Sequence, residues 1–142
     1  MDFRRPCTLG SALLAALLGL ALAAACAKEI QDPHSDHVDF ADPKSVTAQI
    51  FYAADTGRTD NLRSLCDPRG ENNADTARIC AMTAASPDWA DFRAEFAHGH
   101  LNGEPRVSGD RAALHFVFGP DATQSETMEL VRRDGRWYLS AF

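Results

Sequence analysis

The sequence has little positive charge. Its 142 residues hold 14 Lys and Arg against 20 Asp and Glu, which gives a formal net charge of −6. Nucleic acids and anionic lipid surfaces are bound chiefly through Lys and Arg, and the sequence has no basic cluster. The composition therefore predicts neither a nucleic-acid partner nor electrostatic binding to a membrane. The length suits one globular domain of ordinary size.

Long apolar runs are equally scarce after the first 25 residues. Arg4 and Arg5 precede residues 9–25, which read LGSALLAALLGLALAAA. A positive start, an apolar run and small residues in that order are typical of an export signal. A retained transmembrane helix is the alternative, although the run is slightly short for a span. We predict a cleaved signal peptide at residues 1–25.

The run ends at Cys26, in the stretch LAAAC. This stretch resembles the lipobox of bacterial lipoproteins, in which the cysteine becomes the first mature residue and carries the lipid. Ala23 stands where that motif usually has leucine. Ordinary cleavage after Ala27 is the alternative, because Ala25 and Ala27 satisfy the small-x-small rule. We favour lipidation of Cys26, which predicts a domain anchored in the bacterial cell envelope, facing the periplasm or the outside. Cleavage after Ala27 predicts a soluble secreted or periplasmic protein.

The stretch after Cys26 has no apolar periodicity. Residues 28–41 read KEIQDPHSDHVDFA, which is polar and acidic. We predict a flexible polar tether at residues 26–41 and a single domain at residues 42–142. His34 and His37 lie in the tether, but a flexible segment must lose entropy to form a metal site. We predict no metal.

Cysteine is scarce as well, with four in the chain. Cys7 is lost with the signal peptide and Cys26 sits at the cleavage point, so Cys66 and Cys80 remain. Two cysteines are too few for a four-ligand zinc site, and their spacing is not that of a C-x-x-C redox pair. In an oxidising compartment this predicts a Cys66–Cys80 disulfide.

In the first half of the domain, the spacing of apolar residues predicts helices. Asp42 and Pro43 form a capping signal for a helix that ends at Gly57. A short helix from Thr59 to Cys66 and a weak one over residues 72–85 follow. A fourth helix runs from the capping signal at residues 86–88 to about His98. The residues expected on the buried faces of the first and fourth helices are Val46, Ile50, Ala53, Ala54, Trp89, Phe92 and Phe96.

Alternating runs predict two hairpins in the second half. Asp134-Gly135 suits a two-residue type I′ turn between residues 126–133 and 136–142. Gly109-Asp110 is the turn between residues 101–107 and 112–118. The predicted opposed pairs are Leu130 with Leu139, Met128 with Ala141, Val107 with Ala112, Gly103 with Phe116 and Leu101 with Phe118. Opposed residues share a face, so Met128, Leu130, Trp137, Leu139 and Ala141 should face the core.

Helices followed by an antiparallel meander predict an α+β fold. From about residue 42 the chain resembles the nuclear transport factor 2-like superfamily, which includes ketosteroid isomerases and many uncharacterised bacterial lipoproteins. The resemblance lies in Pro43, Val46, Phe51-Tyr52, Gly57, Asn61-Leu62, Leu65, residues 109–112, Leu114 and above all residues 130–137, LVRRDGRW. It implies N-terminal helices packed on a curved four-stranded antiparallel sheet, cone-shaped and often built around a pocket. It does not imply one activity.

A pocket in such a cone would be lined by inward-facing side chains. The candidates are Trp89, Phe92, Arg93, Phe96, Phe116, Arg132 and Trp137. An apolar lining with Arg93 and Arg132 at its mouth would suit a small amphipathic or anionic ligand. The alternatives are that the aromatic rings fill the core, and that the two arginines reach water at the rim, with Arg132 stacked on Trp137.

Chemistry is the weakest signal in the sequence. The expected inward set has no carboxylate or histidine for proton transfer, and no nucleophile motif, phosphate loop or dinucleotide fingerprint is present. We therefore expect no catalytic residue and no cofactor. The leading hypothesis is an envelope-anchored binding or interaction module, whose partner is a small ligand or an envelope protein. The alternative is a small isomerase- or dehydratase-type enzyme of the same fold.

Overall fold

The computed structural model describes residues 36–142. The predicted signal peptide, Cys26 and the first part of the predicted tether lie outside the described residues. The described chain forms four α-helices and then a five-stranded antiparallel sheet, which is an α+β fold as the sequence predicts. No helix within residues 36–142 is both long enough and apolar enough to cross a bilayer.

Helix α1, Pro43–Thr56, begins and ends as predicted. The Asp42 side chain accepts a hydrogen bond from the Lys44 backbone N–H at 2.9 Å. At the other end Gly57 takes a left-handed conformation with φ of 79°, which glycine adopts without a steric cost. Every predicted inward residue of α1 is buried: Val46, Ile50, Ala53 and Ala54.

The next two helices are shorter than predicted. Helix α2 is one turn, Leu62–Leu65, and its first residues have no side-chain cap, so the predicted start at Thr59 is wrong. Helix α3, Ala74–Cys80, is capped by the Asn73 side chain, which accepts from the Thr76 N–H at 2.8 Å. The predicted disulfide between Cys66 and Cys80 is confirmed, and it joins the ends of α2 and α3.

Helix α4, Trp89–Phe96, also ends earlier than predicted. The predicted cap at Ser86 is wrong, because the helix begins at Trp89, and Asp88, which takes the cap position, makes no capping hydrogen bond with its side chain. Its carboxylate instead accepts from Arg78 Nε at 2.8 Å, which ties α4 to α3. The aromatic stripe faces inward as expected, with Phe92 buried and Trp89 and Phe96 half-buried.

The sheet has five strands where four were predicted. They are β1 (His100–Leu101), β2 (Arg106–Ser108), β3 (Arg111–Phe118), β4 (Gln124–Arg133) and β5 (Arg136–Ala141). Their order is β1-β3-β4-β5, and β2 also pairs with β3. Strands β1 and β2 are thus two parts of the single strand predicted over residues 101–107.

The break between β1 and β2 changes the predicted register. Val107 pairs with Ala112 as predicted. Leu101, however, pairs with Phe116, so the predicted Leu101–Phe118 and Gly103–Phe116 pairs are wrong. Two more residues lie on the β1–β2 side than on the β3 side, and the intervening segment bulges out. Pro105 in that segment has no N–H for the ladder.

The last hairpin has the predicted turn and a small irregularity beyond it. Asp134 and Gly135 have φ of 51° and 80°, the signs that a type I′ turn requires. Leu130 pairs with Leu139 as predicted, but Glu129 rather than Met128 pairs with Ala141. The Met128–Ala141 prediction is wrong because a bulge inserts one residue into β5, so that two residues oppose one.

The helices and the inner face of the sheet enclose one core. Its sheet side consists of Ala112, Leu114, Phe116, Met128, Leu130, Trp137 and Leu139, all buried. Val131 is fully buried on the outer face, where the alternation predicts a more exposed residue. Residues of the loop between α2 and α3 bond to Arg133 and Arg111 on that face.

Residues 36–41, which we call the N-terminal strap, pack on the domain. Val38 and Phe40 contact the core cluster. The Phe40 carbonyl accepts from the Trp137 N–H at 2.8 Å, and its ring lies 5.6 Å from that of Tyr138. The predicted flexible tether therefore includes residues that contact the domain, because Asp36, Val38, Asp39 and Phe40 have partners there.

Candidate functional site

The aromatic residues assigned to a pocket pack on each other. We call Trp89, Phe92, Phe96, Phe116, Phe118 and Phe142 the aromatic cluster. Trp89 and Phe92 are stacked with ring centroids 5.4 Å apart, and Phe92 is 5.1 Å from Phe96. Phe96 in turn lies 6.4 Å from Phe116 and 5.4 Å from Phe118. These are distances of direct ring contact, so the rings fill the space between α4 and the sheet.

Arg93 lies on the helix side of the fold and is exposed. Its Nε donates to the Ala54 carbonyl at 2.7 Å, and an Nη donates to the Asp55 carbonyl at 2.9 Å. These carbonyls belong to the last turn of α1, where helices leave acceptors without partners and where positive charge is favourable. Arg93 therefore caps α1, and its expected place at a pocket mouth is wrong.

Arg132 is stacked on Trp137, which is the alternative to a pocket position that the sequence analysis gives for it. Its guanidinium carbon lies 5.1 Å from the Trp137 ring centroid, which is a cation–π contact. The guanidinium also donates to the Asp110 carboxylate at 3.1 Å and to the Gly109 carbonyl at 3.3 Å. Arg132 thus holds the β2–β3 turn against the β4–β5 hairpin at the rim of the core.

A shallow depression lies elsewhere, where α1 meets the turn before α2. It has room for about one water molecule, about 10 Å³. It is lined by Gln49, Tyr52, Ala53, Arg58, Asp60 and Asn61, which turn mostly apolar surface toward it. Ligand pockets are far larger, about 300–1,000 Å³, so this depression does not provide a small-molecule site.

The most deeply buried ion pair among the described residues belongs to a group of charged side chains on the outer face of the sheet. We call Asp67, Glu71, Arg111 and Arg133 the charge cluster. The Asp67 side chain is 0% exposed and the Arg133 side chain 18% exposed, with 3.1 Å between Asp67 Oδ2 and an Nη of Arg133. Glu71 contacts both arginines. The cluster fixes the loop between α2 and α3 to strands β3 and β4.

Hydrogen bonds set the protonation of the two acids in the charge cluster. Burial alone would raise the pKa of Asp67, but hydrogen bonds from Arg133 and from the N–H groups of Arg69 and Glu71 outweigh it, and the pKa lies below its usual value. Hydrogen bonds from Arg111 and Arg133 lower the pKa of Glu71. Both groups are carboxylates at neutral pH with their oxygens engaged. Neither is poised to accept a proton from a substrate.

The charge cluster is not predicted by the sequence. Asp67 stands in the stretch Asp67-Pro68-Arg69-Gly70, which is typical of a turn. The hairpin register does place Arg133 on the outer face, and the pairing of Arg111 with Val131 places Arg111 there too. No local pattern, however, indicates that a turn carboxylate 66 residues away reaches Arg133.

One hydroxyl–imidazole pair resembles an activated nucleophile. Thr127 Oγ1 and His115 Nδ1 lie 2.8 Å apart on opposed positions of β4 and β3. A nucleophile also needs free donors for a developing oxyanion, and the N–H groups of two central strands are engaged in the ladder. The pair is therefore a cross-strand contact, one of the kinds that stabilise sheets. Within residues 36–142 no three His, Cys, Asp or Glu side chains are grouped to hold a metal.

The described residues thus present a filled core, engaged arginines and a charge cluster. Cys26, the predicted lipidation site, lies outside them. Comparison with protein-family models, with curated proteins and with solved structures gives no match to this chain.

Proposed function

We propose that the protein is a lipid-anchored domain of the bacterial cell envelope that works by binding another protein and does not catalyse a reaction. Its fold would be a variant of the nuclear transport factor 2-like cone. The order of helices and strands and the confirmed 130–137 hairpin support that fold. The LAAAC stretch ending at Cys26 supports the anchor.

One observation favours a protein partner over a small ligand. The rings that would line a pocket contact each other, with centroid distances of 5.1–6.4 Å along the series from Trp89 to Phe118. The two arginines that would select an anion are engaged elsewhere, Arg93 at the end of α1 and Arg132 on Asp110. Recognition is then a property of the surface.

The anchor is tested by metabolic labelling with an alkyne analogue of palmitate. We expect the wild type to carry label and to fractionate with membranes, whereas Cys26→Ser is unlabelled and soluble. Equal labelling of the two forms, or release of both into the soluble periplasmic fraction, would contradict the anchor.

The choice of partner is tested by titration of the folded domain with an anionic fluorescent hydrophobe. We expect no saturable binding, since the aromatic cluster is filled. Saturable one-site binding that weakens in Arg132→Ala, with the fold retained, would overturn the proposal in favour of a ligand carrier. Native mass spectrometry of the gently extracted wild type, with Cys26→Ser as the control, then shows whether a stoichiometric protein partner accompanies it.

A further inference from the structure

The N-terminal strap decides where the chain leaves the domain. The Asp36 carbonyl accepts from Asn61 Nδ2 at 3.1 Å, and the Asp36 carboxylate lies 3.8 Å from an Nη of Arg58. Both partners follow the C-terminal end of α1. Six residues later Asp42 caps the N-terminal end of the same helix. The strap therefore runs back along α1 as far as Asn61, whose Nδ2 also donates to Gln49 Oε1, in the middle of the helix, at 3.1 Å.

The dimensions agree with such a path. Helix α1 has 14 residues and is about 21 Å long. Residues 39–42 form a turn in which the Asp42 N–H donates to the Asp39 carbonyl at 3.2 Å, so the strap spans at most about 17 Å and begins beside the C-terminal half of the helix. The strap is held along its length: the Asp39 N–H donates to Ser45 Oγ at 2.8 Å, and the Arg136 guanidinium carbon lies 4.1 Å from the Phe40 ring centroid. The chain thus exits beside residues 57–61 and not beside Asp42, the first residue of the predicted domain.

We infer that the surface around residues 55–61 faces the membrane, and that the opposite end of α1, with Lys44 and Glu104, faces away from it. The inference rests on the proposed lipid at Cys26. Nine residues, 27–35, then separate the anchor from Asp36. The ten residue steps from Cys26 to Asp36 would reach about 33–36 Å when fully extended, and about 16–19 Å as a flexible coil.

That reach is shorter than the path around the surface of the domain. A chain of this length has a radius of gyration of about 13 Å and is roughly 33 Å across. If the exit pointed away from the bilayer, the nine residues would have to pass round half the circumference, roughly 50 Å. They cannot, so the exit end stays turned toward the lipid surface. Asp36, Asp55 and Asp60 outnumber Arg58 and Arg93 there by only one charge, so this end is held near anionic headgroups without adsorbing to them.

The test measures the distance of each end from a bilayer. Asp55 and Glu104 are exposed acids at opposite ends of α1, and Glu104 forms an ion pair with the half-exposed Lys44 at 3.0 Å. Asp55→Cys and Glu104→Cys are each labelled with a donor dye in the lipidated full-length protein, with the Cys66–Cys80 bond verified by mass. The proteins are reconstituted in vesicles that carry a headgroup acceptor.

Energy transfer should be stronger from position 55, by an amount equivalent to about 20 Å, the length of α1. Equal transfer, or stronger transfer from position 104, overturns the inference while the anchor stands. Absence of the lipid by mass spectrometry overturns both the anchor and the inference, so the two failures are distinct.

Two variants test the roles of the strap and of the reach. A Gly/Ser insertion of twelve residues between Ser35 and Asp36 extends the reach to about 70 Å, beyond half the circumference, and should abolish the difference between the labels. Arg58→Ala with Asn61→Ala removes both partners of Asp36, so the exit moves back toward Asp39 and position 104 should come closer to the bilayer. A difference that survives both changes would contradict the inference, because neither reach nor strap would then set the orientation.

Discussion

Substitution of Asp67 by Asn tests whether the charge cluster stabilises the fold. The Asp67 side chain is 0% exposed. Its two oxygens accept from Arg133 Nε and Nη at 3.3 and 3.1 Å and from the N–H groups of Arg69 and Glu71, each at 3.2 Å. The amide of Asn has one acceptor oxygen where the carboxylate has two, and it carries no charge. The variant therefore leaves donors without acceptors in a buried place.

The expected cost follows from what remains around Arg133. Breaking a buried ion pair by removing one partner costs about 3–5 kcal/mol. Arg133 keeps Glu71 as a second partner, so we expect the lower end, about 3 kcal/mol. The assay is urea unfolding of the oxidised mature domain at pH 7. Asp134→Asn is the matched control, because the Asp134 side chain is 92% exposed and its ion pair with Arg69 measures 4.0 Å; it should change the free energy of unfolding by less than about 0.5 kcal/mol.

The dependence on pH gives a second readout of the same substitution. The pKa of Asp67 is lower in the folded than in the unfolded chain, so its stabilising effect is complete well above the unfolded pKa of about 3.9. The effect is lost as the pH falls through the folded pKa. The difference in unfolding free energy between wild type and Asp67→Asn should thus be constant above about pH 5 and shrink below it. A difference under about 1 kcal/mol at pH 7, or one independent of pH down to acid unfolding, would refute the account of the cluster.

Four further predictions concern single contacts. Trp137→Ala should cost about 3–5 kcal/mol in urea unfolding and Tyr138→Ala less, since Tyr138 is only half-buried; the reverse order would contradict the observed register. Replacing Cys66 and Cys80 by Ser should cost about 3 kcal/mol, and two thiols that alkylate without reductant would disprove the bond. Gly99→Ala should cost about 1–3 kcal/mol, because a Cβ there would lie 2.5 Å from the buried Phe51 ring; an unchanged urea midpoint would contradict this. Arg93→Met should lower the melting temperature more than Arg106→Met, an exposed arginine on β2; equal effects would disprove the capping role.

The parts of the fold that the sequence predicts well are those set by neighbouring residues. Helix α1 has its cap, its inward face and its final glycine within 16 consecutive residues, 42–57, and all are as predicted. The Asp134-Gly135 turn fixes the register of the residues beside it, because both φ values must be positive there. In each case the information lies within a few residues of the feature.

The bulges could not be predicted from the sequence, because the strand opposite a bulge keeps its regular alternation of apolar and polar residues. Residues 112–118 alternate correctly, and Leu114 and Phe116 are buried as expected. The extra residues lie on the edge, between Leu101 and Arg106, where burial does not dictate which residue faces inward. At the other end, Ser140 is buried and its hydroxyl donates to the Glu129 carbonyl at 3.2 Å. The sequence gives no reason to place a serine inside until that partner is known.

The predicted pocket depends on information of a different kind. The aromatic residues point toward the core as predicted. Direction alone, however, does not distinguish rings that surround a cavity from rings that fill it. Phe142, the last residue in the chain, decides the matter: its ring meets those of Phe96 and Phe116 edge-on, at 6.2 and 6.3 Å. Its position depends on where β5 ends, and therefore on the bulge at the end of that strand.

The N-terminal strap shows why a polar sequence is a poor guide to flexibility. Its only large apolar residues are Val38 and Phe40, too few for a periodic pattern. Strand β5 nevertheless has a free edge, and the Trp137 N–H on that edge needs an acceptor because it is next to the core. The Phe40 carbonyl supplies it. The donor lies in the last strand and the acceptor lies before the first helix, so the N-terminal residues alone could not predict this contact. Asp36, at the start of the same segment, bonds Asn61 beyond the C-terminal end of α1, so the point where the chain leaves the domain is likewise set by residues that are distant in sequence.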